Sequence, residues 1–315
     1  MGNLQGKTCR NGLKKMIREN SIKLSTSYAV ASKVKDYSQL MKFNLTIMVV
    51  FSSVVGYLLV PGVGFNLIKV LTLFAGGLLV SGSANTINQL LEKETDKLMA
   101  RTAVRPLPAG RMSETEAIIL AIVTGISGLV ILALGFNLLC AGLSLLSLVL
   151  YGFVYTPWKK WNSLAVLVGA VPGALPLLIG WAGGANAIGE GGWALFAIQF
   201  LWQFPHFWAI AWIGYKDYTR AGFKLLPAGG EPNKLIALQA VLYTLLLIPA
   251  GLLPYYLHIS GAISAIVVLL VTLFFLYRAL NLYRKCDVPA ARKLMFGSYI
   301  YLMVMEFALL FDKIG

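Results

Sequence analysis

Residues 115–134 read TEAIILAIVTGISGLVILAL, and residues 136–156, one position further on, read FNLLCAGLSLLSLVLYGFVYT. Apart from Glu116, neither stretch carries a charge. About 20 mostly apolar residues are what a helix needs to cross the hydrocarbon core of a bilayer. Inside that core an uncovered peptide group costs several kcal/mol, so a helix that bonds all of its own backbone is the spanning form for such a stretch. Working outward, seven further stretches read the same way: 43–60, 66–90, 162–182, 192–213, 234–254, 260–281 and 294–312. The sequence therefore predicts an all-α polytopic membrane protein of nine spans. They form one membrane domain over residues 42–315, behind a basic N-terminal tail at residues 1–41.

Composition agrees. Of 315 residues, 58% are hydrophobic and 13% charged, and the mean hydropathy is +0.73. Soluble domains carry about 45–50% apolar and about 25% charged residues. These values exclude an ordinary soluble protein, and they exclude a disordered one, which needs low hydrophobicity and high charge. Cys9, Cys140 and Cys286 lie far apart and in no CxxC pattern, which argues against a disulfide framework or a zinc site.

The net charge of +14 is distributed by topology. Of 27 Lys and Arg residues, all but Lys69 and Lys313 fall in the N-terminal segment or in alternate loops, at 93–111, 159–160, 216–234 and 278–293. By the positive-inside rule that face is cytoplasmic. The N-terminus is then inside and, with nine spans, the C-terminus outside. The basic charge is read as orientation and not as a nucleic-acid surface. Residues 1–6, MGNLQG, lack the Ser or Thr of a myristoylation motif, and no early apolar run marks a signal peptide. The tail is basic and contains Ser, as a mitochondrial presequence would, but it is richer in Lys than in Arg, which argues against one. The expectation is a solvated cytoplasmic tail.

The most informative polar stretch is residues 85–111, NTINQLLEKETDKLMARTAVRPLPAGR. Asn88, Glu92 and Asp96 recur every four residues and share one helix face. Stacked carboxylates repel unless something positive lies between them. Oxygen donors of this kind suit Mg²⁺, which takes one or two carboxylates and completes its shell with water and substrate phosphates. Arg101 and Arg105 follow, and guanidinium binds phosphate oxygens through paired hydrogen bonds. Pro106 and Pro108 end the helix. Together these residues point to a diphosphate site at the cytoplasmic surface. The spacing alone also suits a solvated helix end in which Lys93 and Lys97 pair with Glu92 and Asp96.

Residues 203–227, QFPHFWAIAWIGYKDYTRAGFKLLP, put Asp217 beside Lys216, Arg220 and Lys224 on the same face. Asp217 is a second candidate metal ligand, and Lys216 a candidate for the departing diphosphate. An incidental acid in a basic loop is the plainer alternative. Lys159 and Lys160, after Tyr155-Thr156-Pro157-Trp158, either reach a phosphate or flank an interfacial aromatic anchor. His206 and Glu306 are ionisable groups inside predicted spans, which marks them as functional candidates; Glu306 is expected to face the interior and pair with a polar neighbour. His258 is expected at the opposite surface. The run Gly169-Ala170-Val171-Pro172-Gly173 serves either close helix packing or a kink.

These residues carry a family resemblance over about 40–312. Asn88-x3-Glu92-x3-Asp96-x2-Met99-x-Arg101-Thr102-x2-Arg105-Pro106-Leu107, then Tyr155-Thr156 and Gly169-Ala170-x-Pro172, resemble the UbiA superfamily of intramembrane prenyltransferases. Phe204-Pro205-His206-Phe207-Trp208, with Asp217-Tyr218-x2-Ala221-Gly222 and Leu226-Pro227, is similar to its heme O synthase branch, the protoheme IX farnesyltransferases. The resemblance implies a UbiA-like bundle of nine helices around a central cavity. It implies that Asn88, Glu92, Asp96 and Asp217 bind the diphosphate of farnesyl diphosphate through Mg²⁺, with the basic residues Arg101, Arg105, Lys159, Lys160 and Lys216 around it. Lys216 stands where the family often has an acid. The implied acceptor is heme B, with His206 binding the heme or steering water. The implied setting is the lipid bilayer of a bacterial inner membrane, upstream of a heme A synthase or heme-copper oxidase assembly. A UbiA-type enzyme acting on an aromatic quinone precursor is the alternative. A transporter is disfavoured, because the acids gather at one surface and not at the midplane.

Overall fold

The computed structural model describes residues 32–227 and 230–314; the rest of the predicted tail, residues 1–31, lies outside the described residues. The helices are α1 (Ser32–Leu40), then α2 (Phe43–Leu58), α3 (Leu67–Asp96), α4 (Glu114–Gly135) and α5 (Leu138–Val149). They continue as α6 (Ala165–Ala185), α7 (Gly189–Ile213), α8 (Tyr215–Arg220), α9 (Lys234–Tyr256), α10 (Ala262–Lys285) and α11 (Val288–Phe311).

Local chemistry sets the boundaries. Asn66, Ser113, Asn137, Asn233 and Asp287 each accept a backbone N–H in the first turn of the following helix, the usual way to satisfy an orphan donor there. Pro289 lies at the start of α11, where a missing N–H costs nothing. At its end α5 widens into a π-turn at Leu150–Tyr155 and closes with Thr156–Trp158.

Seven helices among the described residues are long and apolar enough to cross a membrane, and eight if α1 and α2, bent by 50°, are taken as one span. This is a multi-pass membrane protein. The predicted count of nine is not reached on length and apolarity. The two shortfalls have different causes. The helix α2 alone has only 16 residues. The 25-residue α7 carries Gln199, Gln203, His206 and four Trp residues, which lower its hydropathy.

Without a solvent-driven force between helices in lipid, association depends on close packing and small residues. A Cβ on Gly180 of α6 would overlap the Ser53 carbonyl oxygen of α2, and one on Gly56 of α2 would overlap the Leu177 carbonyl oxygen of α6. Gly76 and Gly128 bring α3 and α4 together similarly, with a Cβ on Gly128 lying 2.8 Å from the Gly76 oxygen. The Gly/Pro-rich α6 is the most enclosed of the seven apolar helices, with 78% of its most apolar stretch buried against 22–44% for the others. It packs on α2, α5 and α7, while α7, α9, α10 and α11 form the other side of the bundle. Leu134, Leu138, Ile68 and Phe311 stand exposed on the outside, where a bilayer would cover them.

Candidate active site

The helix α3 has 30 residues. At a rise of about 1.5 Å per residue it extends about 45 Å. A hydrocarbon core is only about 30 Å thick. The last third of α3, which bears the acids, therefore projects into the interfacial region. Asn88, Glu92 and Asp96 all face inward, at 1%, 5% and 1% exposure. Carboxylates at a helix C-terminus are disfavoured by the helix dipole, so each needs a positive partner. Lys159 Nζ donates to Glu92 Oε1 at 2.8 Å, and Arg105 Nη1 to Asp96 Oδ2 at 2.7 Å. Lys42 Nζ, in the turn between α1 and α2, donates to Asn88 Oδ1 at 3.0 Å. Burial works to lower the Lys159 pKa, but the charge and hydrogen bond of Glu92 outweigh it and hold that ammonium above its ordinary value. A nearby opposite charge favours the charged form in this way. Asp96 Oδ1 is buried with no hydrogen-bond partner.

The partners of Lys93 and Lys97 bear on the solvated-end alternative. Lys93 pairs with Glu114, and Lys97 with Glu94 at 2.9 Å. Neither neutralises the Asn88–Glu92–Asp96 face.

The surrounding loops are held by their own sequence. Thr102 Oγ1 donates to the Asp96 carbonyl at 2.8 Å, folding residues 97–105 back under the helix end so that Arg105 reaches the carboxylate. Asn88 Nδ2 donates to Thr156 Oγ1 at 3.1 Å, and Thr156 Oγ1 in turn donates to the Tyr151 carbonyl at 2.8 Å. Such π-turns often occur at functional sites. Here the turn sets Thr156 against Asn88 and places Lys159 Nζ 4.5 Å from the Tyr155 ring centroid.

The second cluster docks on the first through apolar and aromatic contacts. Met99, Ala221 and Phe223 pack together with Tyr218 beside them. The Arg101 guanidinium lies 4.6 Å from the Tyr218 ring centroid, and the Lys224 N–H donates to the Lys159 carbonyl at 2.8 Å. The acids themselves are less closely gathered. Asp217 of α8 is 35% exposed and pairs loosely with Arg220 at 3.9 Å. Among the described residues, no three His, Cys, Asp or Glu side chains come close enough to hold a metal ion. The structure thus brings Glu92, Asp96, Asn88, Arg105 and Lys159 together, and places Arg101 beside them over Tyr218. Lys160 and Lys216 are exposed.

His206 lies about two turns before the end of α7 at Ile213. At about 1.5 Å per residue that puts it roughly 10 Å below the helix end. It is 7% exposed and stacks on Trp202, with ring centroids 5.0 Å apart. Its Nδ1 meets Ser298 Oγ of α11 at 2.7 Å. Glu306 is buried at 1% exposure, as expected, but both carboxylate oxygens lack a hydrogen-bond partner. The polar neighbour is Ser52 on α2, whose hydroxyl lies beside Glu306 and also 3.5 Å from the Met48 carbonyl oxygen. His258 is exposed at the end of α9 with φ of 55°.

Two participants were not singled out from sequence, Lys42 and the Asn88–Thr156 contact. A lone lysine at the head of the first span was the only local signal for Lys42.

The donor set is compatible with a small divalent cation. Its oxygens are hard, and Asp96 Oδ1 is unengaged. Two carboxylates with an amide leave the remaining positions to water or phosphate.

Residues 49–303 match the UbiA prenyltransferase family model. A protein named protoheme IX farnesyltransferase from Cytophaga hutchinsonii is 46% identical over 288 residues, covering 90% of this chain and 100% of the relative. One of the same name from Flavobacterium psychrophilum is 42% identical over 92% of this chain and 98% of its own length. Among solved structures, a digeranylgeranylglyceryl phosphate synthase superposes with a TM-score of 0.74 at 20% identity, covering 89% of this chain and 98% of that one. A UbiA homolog from Archaeoglobus fulgidus, bound to DMAPP and Mg²⁺, does so with a TM-score of 0.62 at 17% identity, over 87% and 99%. These two share the fold. With the family model matched across most of its length and relatives above 40% identity spanning nearly their whole chains, this chain belongs to the UbiA prenyltransferase family.

Proposed function

We propose that this chain transfers a farnesyl group from farnesyl diphosphate to a vinyl group of heme B, with addition of water, and so makes heme O. The name shared by its curated relatives supports the substrates. The observation that carries the chemistry is the buried Asn88–Glu92–Asp96 face met by Lys42, Lys159 and Arg105.

In this reading the cations turn from the acids to the oxygens of the diphosphate. As the allylic C–O bond breaks, negative charge grows on the leaving group, and fixed cations in a site shielded from water stabilise that charge most. Arg105 offers paired donors, Lys159 and Lys42 point charges, and Arg101, Lys160 and Lys216 form the outer basic ring. Asn88, Glu92 and Asp96 would hold Mg²⁺, with Asp217 as the second-motif ligand. Bound there, the ion supplies Lewis acidity toward the diphosphate oxygens.

Apolar helix surfaces below the site bury the farnesyl chain, at about 0.8 kcal/mol per CH₂, and keep water from the allylic cation. The vinyl π bond attacks the farnesyl carbon and forms the new C–C bond. The cation left next to the porphyrin takes the oxygen of water, which releases a proton, giving the hydroxyethylfarnesyl group. His206, about 10 Å deeper than the end of α7, is proposed to face the heme, as iron ligand or as the group that steers that water. We place the protein in a bacterial inner membrane, N-terminus cytoplasmic and C-terminus outside, with its product passing to a heme A synthase or to heme-copper oxidase assembly.

The test is to incubate membranes containing the protein with heme B, farnesyl diphosphate and Mg²⁺, and to weigh the extracted hemes. A heme heavier by one farnesyl group and one water, absent after EDTA, is the expected product. No such product, with prenylation of an added aromatic acid instead, would move the assignment to the quinone-type transferases.

A further inference from the structure

Ser298 makes two short contacts, and its one hydroxyl hydrogen can serve only one of them. Its Oγ lies 2.5 Å from the Met295 carbonyl oxygen, one turn back on α11, and 2.7 Å from His206 Nδ1 on α7. Two oxygens that close with no hydrogen between them repel, and a carbonyl has no hydrogen to give. The Ser298 hydrogen therefore goes to Met295, and Oγ turns a lone pair toward the histidine. For that contact to be attractive, Nδ1 must carry the proton.

The surroundings oppose the remaining possibility, a doubly protonated ring. Trp202 stacks on the imidazole at 5.0 Å, and Phe207 and Tyr299 meet it edge-on at 5.4 and 5.0 Å. Among the described residues no carboxylate bonds to it, and a buried ring without a counter-charge disfavours imidazolium. Trp202 also donates its Nε1–H to the Ser298 carbonyl at 2.8 Å. Residue 298 is thus bound to α7 through its backbone as well as its side chain, which fixes the distance between hydroxyl and ring.

We infer that Ser298 is a positioning residue that locks His206 as the Nδ1–H tautomer and leaves Nε2 as the ring's free lone pair, to be offered to the iron of the heme acceptor. The iron half rests on the proposed heme chemistry; the tautomer half does not. The tautomer of a metal-binding histidine is set by the hydrogen bond at its other nitrogen, and that bond also strengthens the ligand. A ring protonated on Nε2 would have no lone pair there for iron.

The chain has two histidines, so the tautomer can be read directly. The full-length His258→Asn variant, labelled with ¹⁵N-histidine, leaves His206 as the single signal. Position 258 has a left-handed backbone, which asparagine tolerates. In detergent without heme, Nδ1 should resonate as a protonated, pyrrole-like nitrogen and Nε2 as an unprotonated, pyridine-like one. Ser298→Ala should shift the pair toward the other tautomer, and Ser298→Thr, which keeps the hydroxyl, should restore it. An Nε2–H ring in the otherwise native chain overturns the inference even if Ser298→Ala does not fold.

Ferric heme B titrated by its Soret band tests the iron half. Ser298→Ala should bind about tenfold more weakly and lower the Fe–His stretching frequency of the ferrous complex, with Ser298→Thr close to native. His206→Ala should lose the histidine-ligated spectrum. If His206→Ala binds heme with an unchanged spectrum, the iron role is refuted while the NMR result still decides the tautomer. If His206→Ala loses the spectrum and Ser298→Ala changes neither affinity nor frequency, His206 keeps its role and Ser298 loses its own.

Discussion

The side chains of Lys159 and Glu92 are 11% and 6% exposed and lie 2.8 Å apart, so water screens the pair little. Changing Lys159 to methionine keeps the aliphatic stem near Tyr155 and Phe223 but strands the Glu92 carboxylate. Stranding one member of a buried pair costs about 3–5 kcal/mol, whereas removing both charges is close to neutral. By the scaling for chains of about 150–250 residues, that is a drop of roughly 6–20 °C in melting temperature, toward the lower end for a chain of 315 residues. Lys159→Met should therefore melt well below the native protein in detergent. The double variant Glu92→Gln/Lys159→Met should recover to within about 1 kcal/mol. Turnover should not recover. Losing one fixed charge from a preorganised site costs about 10²–10³ in rate, and the double variant also lacks an acid. The assay pairs thermal unfolding with mass detection of the prenylated heme on the same preparations. A Lys159→Met protein as stable as the native one, or a double variant that regains turnover, would refute the reasoning.

Asp96→Asn should reduce turnover to background while the protein still inserts into membranes, and EDTA should do the same to the native protein; near-normal product from the variant would remove Asp96 from the metal site. Lys42→Met should raise the KM for the prenyl diphosphate by about tenfold, the worth of one charge-assisted hydrogen bond, and leave heme affinity unchanged. Gly180→Ala should destabilise the protein by about 1–3 kcal/mol, because the new methyl group overlaps the Ser53 carbonyl oxygen and the α2 backbone must move; an unchanged melting temperature would show that this contact is looser than described.

Much of this was legible in the sequence, for reasons that differ by element. The bilayer's demand for long apolar helices leaves a linear signature, so α3, α4 and α9–α11 stand out from composition alone. The face shared by Asn88, Glu92 and Asp96 follows from helix periodicity, and Arg105 lies close enough along the chain to be associated with it. The helix α7 is harder, because its polar groups are satisfied inside the bundle: Gln203 donates to the Ala170 carbonyl at 3.1 Å and Trp202 to Ser298. A window average counts those groups as though they met lipid. Lys42 joins Asn88 across 46 positions, a closure no local pattern encodes. The π-turn is equally silent, since its extra residue leaves no compositional trace. Burial of Glu306 follows from an acid placed inside a span, but that its polar neighbour is Ser52 of α2 is a contact between distant helices, which only coordinates give.

The ion pairs that fill the site have a further consequence for the order of binding. With Lys159 on Glu92 and Arg105 on Asp96, both acids of the ligand-free site already have a cationic partner, while Lys42 rests on the neutral amide of Asn88. A divalent cation arriving alone must draw the carboxylates from their partners and leave ammonium and guanidinium groups unanswered. A diphosphate arriving alone must do the converse. Only the two together provide a new partner for every group. Each should therefore tighten the other's binding by the same factor, as linkage requires, and a tenfold effect in one direction obliges a tenfold effect in the other. The resting protein would thus resist loading with either one singly, and would respond to the metal–diphosphate complex as a single ligand.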